Sequence, residues 1–180
     1  DQIVVNTDSN KISKKCLDYF PNVMIIDRPK KLHGDFVSMN EIINYDIKKL
    51  VKYDYFLQTH ATNPLLKSST IDSSIRDFFN KIKEGYDSLF SVNRIQTRCY
   101  NHEGKPINHK LGELKRTQDL KPIFEENSNI YIFSRQSFKC NNNNRIGKKP
   151  YIYEMDRLES IDIDEKEDFI LAENIHKSRN

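Results

Sequence analysis

The sequence predicts an α/β fold with a doubly wound, mostly parallel sheet and a small excursion from that sheet. Short apolar runs of β-forming residues alternate along the chain with helical segments of about ten to fifteen residues. Each run ends in turn or helix-cap residues, as where residues 2–5 are followed by Asn6, Thr7, Asp8 and Ser9. This alternation is typical of βαβ units, in which parallel strands carry helices on both faces of the sheet.

The first half of the chain contains four predicted strands separated by three predicted helices. The strands are residues 2–5, 23–26, 53–58 and 88–92, and the helices are residues 11–20, a segment starting after Ser38, and residues 70–83. In each helix the apolar residues recur every three or four positions, which predicts one buried face. In the first helix that face consists of Ile12, Cys16, Leu17 and Phe20.

The second half departs from this alternation. Residues 94–121 are polar and rich in turn residues, which predicts an excursion from the sheet rather than another βα unit. Further strands are predicted at residues 129–133, 151–155 and 161–163, a loop at the asparagine run 141–144, and a last helix at residues 165–176. At 180 residues, we expect the whole of residues 1–180 to form a single domain.

Composition excludes several classes of function. A hydrophobic content of 37% with 31% charged residues is typical of a globular protein, and the net charge of +3 is dispersed without the basic stripe that nucleic acid requires. The apolar runs are far shorter than the ~20 residues needed to cross a bilayer, and no leader is visible at the start of the sequence. The three widely spaced cysteines favour reduced thiols, so we expect a cytoplasmic protein with no membrane or nucleic-acid partner.

A candidate site can be read from the predicted strands, because ligands of doubly wound sheets bind beside the loops that follow the carboxyl ends of the strands. The polar residues of those loops are Asp8, Arg28, His60, Thr62, Asn63, Asn93, Arg94, Asp162 and Asp164.

Asp162 and Asp164 lie two residues apart on a predicted strand, so their carboxylates project from the same face. Carboxylate oxygens are hard ligands that suit Mg²⁺. One interpretation of the pair is that both carboxylates approach the same ion. An alternative is structural, since Asp164 with Glu167 also fits the start of a helix.

The segment from His60 to Leu66 resembles the Gln-Pro-Thr-Ser-Pro-Leu motif of the acylneuraminate and ketodeoxyoctonate cytidylyltransferases. Four more segments agree with this family in order and spacing, and together with the motif they span essentially the whole chain. They are residues 3–8, Arg28-Pro29 with Gly34-Asp35, residues 116–120 leading to Asn127 and Tyr131, and residues 160–164.

The resemblance implies an enzyme that transfers CMP from CTP to the anomeric hydroxyl of a 2-keto-3-deoxy sugar acid and releases pyrophosphate. It implies Mg²⁺ as the cofactor, CTP and an acidic sugar as partners, and a homodimer formed through the excursion 94–121. The implied catalytic residues are Asp162, Asp164 and Arg116, with both aspartates as metal ligands. The implied nucleotide-binding residues are Asp8, Arg28 and Ser38, and the implied sugar-binding residues are His60, Thr62, Asn63, Gln118 and Tyr131.

Some of these residues also have a structural explanation. Ser38 with Glu41 fits a helix capping box, and Tyr131 can be an ordinary strand residue between Ile130 and Ile132. His60 stands where the family more often has glutamine, and Arg145-Ile146 stands where its sialic-acid members have two phenylalanines. We therefore expect a substrate other than ordinary sialic acid.

Enzymes of this family begin further upstream, with a strand and a Gly-, Arg- and Lys-rich loop that holds the CTP phosphates. No such loop occurs in residues 1–180. Two alternatives follow from the resemblance: a fragment of a working cytidylyltransferase, or a truncated, non-catalytic module for binding or oligomerisation. Transfer of another nucleotide is a further enzymatic alternative.

Overall fold

A computed structural model describes residues 1–179 of the chain, and it contains six strands and five α-helices. The strands are β1 (Val4–Thr7), β2 (Met24–Asp27), β3 (Tyr55–Gln58), β4 (Ser88–Ile95), β5 (Ile123–Ser134) and β6 (Pro150–Glu154). The helices are α1 (Asn10–Tyr19), α2 (Met39–Lys49), α3 (Ser68–Ile82), α4 (Arg135–Cys140) and α5 (Lys166–Ser178).

The strands form two sheets. Strands β1 and β2 pair in parallel, and the larger sheet has the order β3-β5-β4-β6. In the larger sheet β3, β4 and β6 run in one direction, and only β5 is antiparallel to its neighbours. The prediction of an α/β fold is confirmed, with one parallel pair of strands and one mixed four-stranded sheet.

Helices cover both faces of the larger sheet, as expected for a doubly wound arrangement. Residues 130–133 of the central strand β5 are all buried, and alternate residues of this stretch belong to different core clusters. One cluster includes Ile47 of α2 and Phe138 of α4, and the other includes Phe78 of α3. Burial on both faces explains why this strand reads as a continuous apolar run instead of an alternating pattern.

Helix α1 forms where the sequence predicts it, but its predicted buried face is wrong. None of its residues is buried, and Ile12, Leu17 and the capping Phe20 are 50%, 45% and 64% exposed. The physical reason is the width of the sheet beneath it, because two strands offer too little surface to cover an amphipathic helix.

The predicted strand 161–163 is also wrong. This segment joins no sheet in the described chain; instead Ile163 donates its N–H to the carbonyl of Thr62, in the loop after β3, at 2.9 Å. Helix α4 was not predicted, since six residues are too few to show a helical period. It begins after Ser134, whose hydroxyl accepts the N–H of Ser137 at 2.9 Å.

Strands β4 and β5 are longer than predicted and continue together beyond their neighbours as a two-stranded ribbon. The ribbon leads into the predicted excursion, in which Tyr100 and Pro106 form an isolated bridge and residues 117–119 form a single 3₁₀ turn. Within residues 1–179, no helix is both long and apolar enough to span a membrane.

Candidate active site

The candidate site lies where β3 ends, beside the segment that precedes α5. The hydrogen bond from Ile163 to Thr62 joins the two loops, and the side-chain amide of Asn63 lies 3.5 Å from the carbonyl oxygen of Ile161. Two segments that are a hundred residues apart in sequence, and that the sequence analysis singled out separately, are therefore neighbours. Thr62 itself is exposed, whereas Asn63 is buried.

Asp162 has a buried carboxylate oxygen, Oδ1, that has no hydrogen-bond partner within residues 1–179. The buried side-chain oxygens of Asn63 and Asn129 are also unpaired, and both asparagines direct their amide nitrogens at backbone carbonyls of residues 160 and 161. Buried polar atoms are nearly always paired in folded proteins, so three unpaired acceptors around one segment require a physical cause. A bound cation would supply one for Asp162.

The residues present fit magnesium. No group of three or more His, Cys, Asp or Glu side chains within residues 1–179 is arranged to hold a metal, so Asp162 and the exposed Asp164 would be its two protein ligands. Mg²⁺ is commonly held by one or two carboxylates, with substrate phosphates and water completing its six-fold coordination. A two-carboxylate site is therefore adequate.

The competing structural explanation of Asp164, in which it caps a helix with Glu167, is wrong. Helix α5 begins one residue later, after Glu165, and the carboxylate of Asp168 accepts the backbone N–H of Glu165 at 2.9 Å and that of Asp164 at 3.2 Å. Asp168 and Glu165 thus form a capping box, in which the Glu165 side chain accepts the backbone N–H of Asp168. The carboxylate of Asp164 has no part in the cap.

Next to this pair, His60 and Tyr131 lie on either side of an arginine that the sequence analysis did not assign to the site. The guanidinium carbon of Arg145 lies 3.5 Å from the centre of the Tyr131 ring, and Arg145 Nη1 lies 3.4 Å from His60 Nε2. The hydroxyl of Tyr131 donates a short hydrogen bond to Glu126, while burial and this bond raise the pKa of Tyr131 to about 12. Tyr131 is therefore a neutral, oriented hydrogen-bonding group, not only a core residue.

His60 is neutral at pH 7. Partial burial lowers the pKa of His60, the positive charge of Arg145 lowers it further, and the charge of Asp162 only partly opposes these two effects. A neutral imidazole both donates and accepts a hydrogen bond. His60 can thus contact a substrate hydroxyl in either sense, as glutamine would.

The segment that carries Asp162 is anchored by Glu159, a buried carboxylate that the sequence analysis missed. Glu159 accepts hydrogen bonds from the Thr70 hydroxyl at 2.6 Å, from Lys67 Nζ at 2.9 Å and from the Lys67 backbone N–H at 3.3 Å. Lys67 is the N-cap residue of α3 and provides no side-chain cap, and Thr70 lies in the first turn of that helix. The anchor therefore holds the Asp162 segment to the start of α3.

A second polar cluster lies at the ends of β1 and β2. Arg28 Nε donates to the side-chain oxygen of Asn6 at 2.8 Å, and the Asn6 amide donates to Asp46 of α2 at 2.5 Å. Burial raises the pKa of Asp46, and the hydrogen bond from Asn6 and the charge of Arg28 only partly offset this. Arg28 is thus held rigidly. Asp8 follows β1 as an exposed residue.

Ser38 is the N-cap of α2, as predicted, and its hydroxyl accepts the Asn40 N–H at 3.2 Å. Arg116 and Gln118 lie in the excursion and are exposed; the guanidinium of Arg116 forms a two-pronged ion pair with Asp119, at 2.8 and 3.1 Å. Within this single chain, no described contact joins either residue to the cluster around Asp162.

The fold is an α/β arrangement that is also found in solved nucleotidyltransferases. The solved structure of a 4-diphosphocytidyl-2C-methyl-D-erythritol synthase from Anaerococcus prevotii matches 98% of this chain and 79% of its own, with a TM-score of 0.68 at 10% identity. A CMP:2-keto-3-deoxy-manno-octonic acid synthetase, solved in complex with CTP, matches 100% of this chain and 82% of its own, with a TM-score of 0.66 at 9% identity. These likenesses concern the fold.

The family model for cytidylyltransferases matches residues 1–179, and the chain belongs to that family of nucleotidyltransferase enzymes. Post-translational flagellin modification protein B of Campylobacter coli is 26% identical over 99% of this chain and 78% of its own length. N-acylneuraminate cytidylyltransferases of Streptococcus agalactiae and Escherichia coli are 26% and 24% identical over 93% and 100% of this chain. The matches cover 41% and 43% of those two proteins, so this chain spans less than half their length.

Proposed function

We propose that this chain forms the acceptor-binding and metal-binding part of a cytidylyltransferase that activates a 2-keto-3-deoxy sugar acid. The anomeric hydroxyl of the acid would attack the α-phosphorus of CTP, giving the CMP-sugar and pyrophosphate. The observation that carries the proposal is the unpaired buried oxygen of Asp162 within residues 1–179. The charge of Asp162 acts on His60, whose ring centre lies 6.4 Å from that of Tyr131. The names of the relatives supply the substrate class.

Asp162 and Asp164 would hold Mg²⁺. When bound, the ion would neutralise the phosphate charge that grows on the leaving pyrophosphate. The two carboxylates contribute by fixing its place at the mouth of the loop after β3. Their own environment supports this role, because the Asp164 carboxylate takes no part in the helix cap and Asp162 presents an oxygen with no donor within residues 1–179.

Recognition of the nucleotide is proposed for three residues: Asp8 after β1, Arg28 after β2 and Ser38 before α2. Arg28 is the strongest of the three, because its bonds to Asn6 fix the guanidinium beside the end of β1. A rigid arginine suits phosphate or carboxylate oxygens. The hydroxyl of Ser38 is already used by the helix cap, so any ligand would share it.

Recognition of the sugar acid is proposed for His60, Thr62, Asn63 and Tyr131. His60 and Tyr131 provide neutral hydrogen-bonding groups, and the exposed Thr62 lies on the adjacent loop. These groups face the same loop pair as Asp162, so an acceptor held by them would meet the metal site directly.

Arg116 and Gln118 fit this scheme if two copies of the chain pair through the excursion. Three apolar side chains of the excursion, Ile107, Leu111 and Leu114, are 58%, 73% and 93% exposed. Exposed apolar clusters are typical of interaction surfaces. In such a homodimer, Arg116 of one copy would reach the acceptor site of the other and meet the carboxylate of the acid.

The test is a pyrophosphate-release assay with CTP, Mg²⁺ and a panel of 2-keto-3-deoxy acids, using residues 1–180 and the product of the complete natural coding sequence side by side. Release that depends on an acid acceptor would support the proposal. Activity only in the natural product would locate part of the site outside residues 1–180. Silence in both would favour a non-catalytic module.

A further inference from the structure

Arg145 lies at the centre of the acceptor side of the candidate site. Its Nη1 donates to Gln58 Oε1 at 2.5 Å and lies 3.4 Å from His60, and its guanidinium carbon lies 3.5 Å from the centre of the Tyr131 ring. The side chain is only 14% exposed. A guanidinium held against an aromatic face in a partly desolvated site gains up to ~2 kcal/mol, so this position is defined and stable.

The backbone around Arg145 is fixed as well. The N–H of Arg145 donates to the Asn40 side chain at 3.2 Å, and the next residue, Ile146, packs against the core cluster that contains Tyr131. Gln58 and Tyr131 are paired across β3 and β5. The guanidinium is thus held by Gln58 and Tyr131 on strands of the sheet, and by His60 in the loop after β3. Rigid strands are the support that a precise binding group requires.

Part of the guanidinium has no hydrogen-bond partner. The nearest carboxylate oxygen, Glu126 Oε1, lies 4.0 Å from Nη2, which is beyond the 2.7–3.2 Å range of a hydrogen bond. Among the contacts described for residues 1–179, neither Nη2 nor Nε donates to an acceptor. Glu126 itself is partly exposed, with the Tyr131 hydroxyl donating to the same oxygen.

The balance of charge decides what these free groups would bind. The carboxylate of Glu126 lies 4.0 Å from Arg145 Nη2, so its negative charge offsets the positive charge of Arg145. A carboxylate entering beside Arg145 would meet the repulsion of Glu126. A neutral group that accepts from Arg145 and donates to Glu126 meets no such repulsion.

We propose that Arg145 and Glu126 form a subsite that reads an uncharged hydroxyl or secondary amide on the acceptor, and that Arg145 thereby determines which acceptor is used. The inference rests on the proposed function. It places the carboxylate of the acid outside the Arg145–Glu126 subsite, where Arg116 would bind it. Both acceptor groups present one donor and one acceptor, which matches the free N–H groups of Arg145 beside the Glu126 carboxylate.

The experiment uses the natural full-length protein with CTP and Mg²⁺. The acceptor is the acid that the panel identifies as best, together with analogues in which one hydroxyl or one acylamino group is replaced by hydrogen. Arg145→Met keeps the apolar stem over Tyr131 and removes the donors, and Arg145→Lys keeps the charge without the fork. Arg76→Met is the matched control, because Arg76 is an exposed arginine on α3.

Loss of one or two hydrogen bonds to a charged donor corresponds to a change in kcat/KM of ~10- to 100-fold. Arg145→Met is therefore expected to lower kcat/KM for the best acceptor ~10- to 100-fold more than for the analogue that lacks the hydroxyl or amide bound by Arg145 and Glu126. The loss should come mainly from a higher KM for the acceptor. Arg145→Lys should lose most of the same discrimination, and Arg76→Met none. In Arg145→Met, one analogue should no longer differ from the parent acid in kcat/KM. The group missing from that analogue, a hydroxyl or an amide, is the one that the subsite binds.

Three results would overturn the inference. The first is an equal loss for the parent acid and every analogue in folded Arg145 variants, which would indicate that Arg145 binds the common carboxylate or only supports the fold. The second is full discrimination in Arg145→Lys, which would mean that charge alone suffices. The third is silence of the natural protein with every acid, which would remove the proposed function as well; the first two leave that function standing.

Discussion

The replacement Asp162→Ala should make the ligand-free protein more stable while it destroys activity. The buried Oδ1 of Asp162 has no hydrogen-bond partner within residues 1–179, and a buried polar atom without a partner costs about 1–3 kcal/mol. Removing the carboxylate removes that cost. In a chain of this size each kcal/mol corresponds to about 2–4 °C in Tm.

Asp164→Ala is the matched control. Asp164 is exposed and takes no part in the cap of α5, so its loss should change the free energy of unfolding by less than about 0.5 kcal/mol. If both carboxylates hold the metal, both variants should lower turnover of the natural protein by at least about 100-fold. The two variants are thus expected to share the loss of activity and to differ in stability.

The assay combines thermal unfolding of residues 1–180, without metal and with excess Mg²⁺, and pyrophosphate release by the natural protein. Mg²⁺ should raise the Tm of the unmodified chain and leave that of Asp162→Ala unchanged, because a ligand stabilises only the folded state that binds it. The reasoning is refuted if Asp162→Ala loses stability as an ordinary core truncation does, or if it retains turnover.

Three further predictions concern the support of the site, the pairing of two copies and the acceptor. Although burial alone would raise the pKa of Glu159, its hydrogen bonds from Thr70 and Lys67 hold that pKa below 4.5. Glu159→Gln should therefore lower the free energy of unfolding at pH 7, measured in urea, by about 1–2 kcal/mol. This difference should shrink as the pH falls below 4.5, because the native carboxylate then becomes protonated. Replacement of Leu114 by Asp should give monomers by light scattering, whereas an unchanged mass would contradict pairing through the excursion. His60→Gln should alter the order of preference among sugar acids, and an identical substrate profile would exclude His60 from acceptor recognition.

The order of strands and helices could be predicted because each buried strand or helix carries its own apolar period. The predictions failed where the apolar period of a segment does not determine which other segment packs against it. The apolar face of α1 is real, yet Ile12 and Leu17 are exposed because the two-stranded sheet beneath them is narrow. Residues 161–163 look like a strand, but their partner is the loop at Thr62.

The site could be predicted only in part for a similar reason. Asp162, His60 and Tyr131 were identified through a motif and through their place at the ends of strands. Arg145 and Glu159 were not, because the contacts that place each of them include residues that are more than eighty positions away in sequence. Nothing in the local sequence of Asn144-Arg145-Ile146 distinguishes a surface loop from one that places a guanidinium over Tyr131.

The most direct test of the central claim is whether CMP is joined to a sugar acid in a reaction that requires Asp162. The natural full-length protein and its Asp162→Ala variant should be incubated with CTP, Mg²⁺ and the panel of 2-keto-3-deoxy acids, and pyrophosphate and CMP-sugar measured together. Equal amounts of both products, dependent on an acid acceptor and lost in the variant, are the predicted result. Equal product formation by the variant, or none from the natural protein with any acid, would contradict the account.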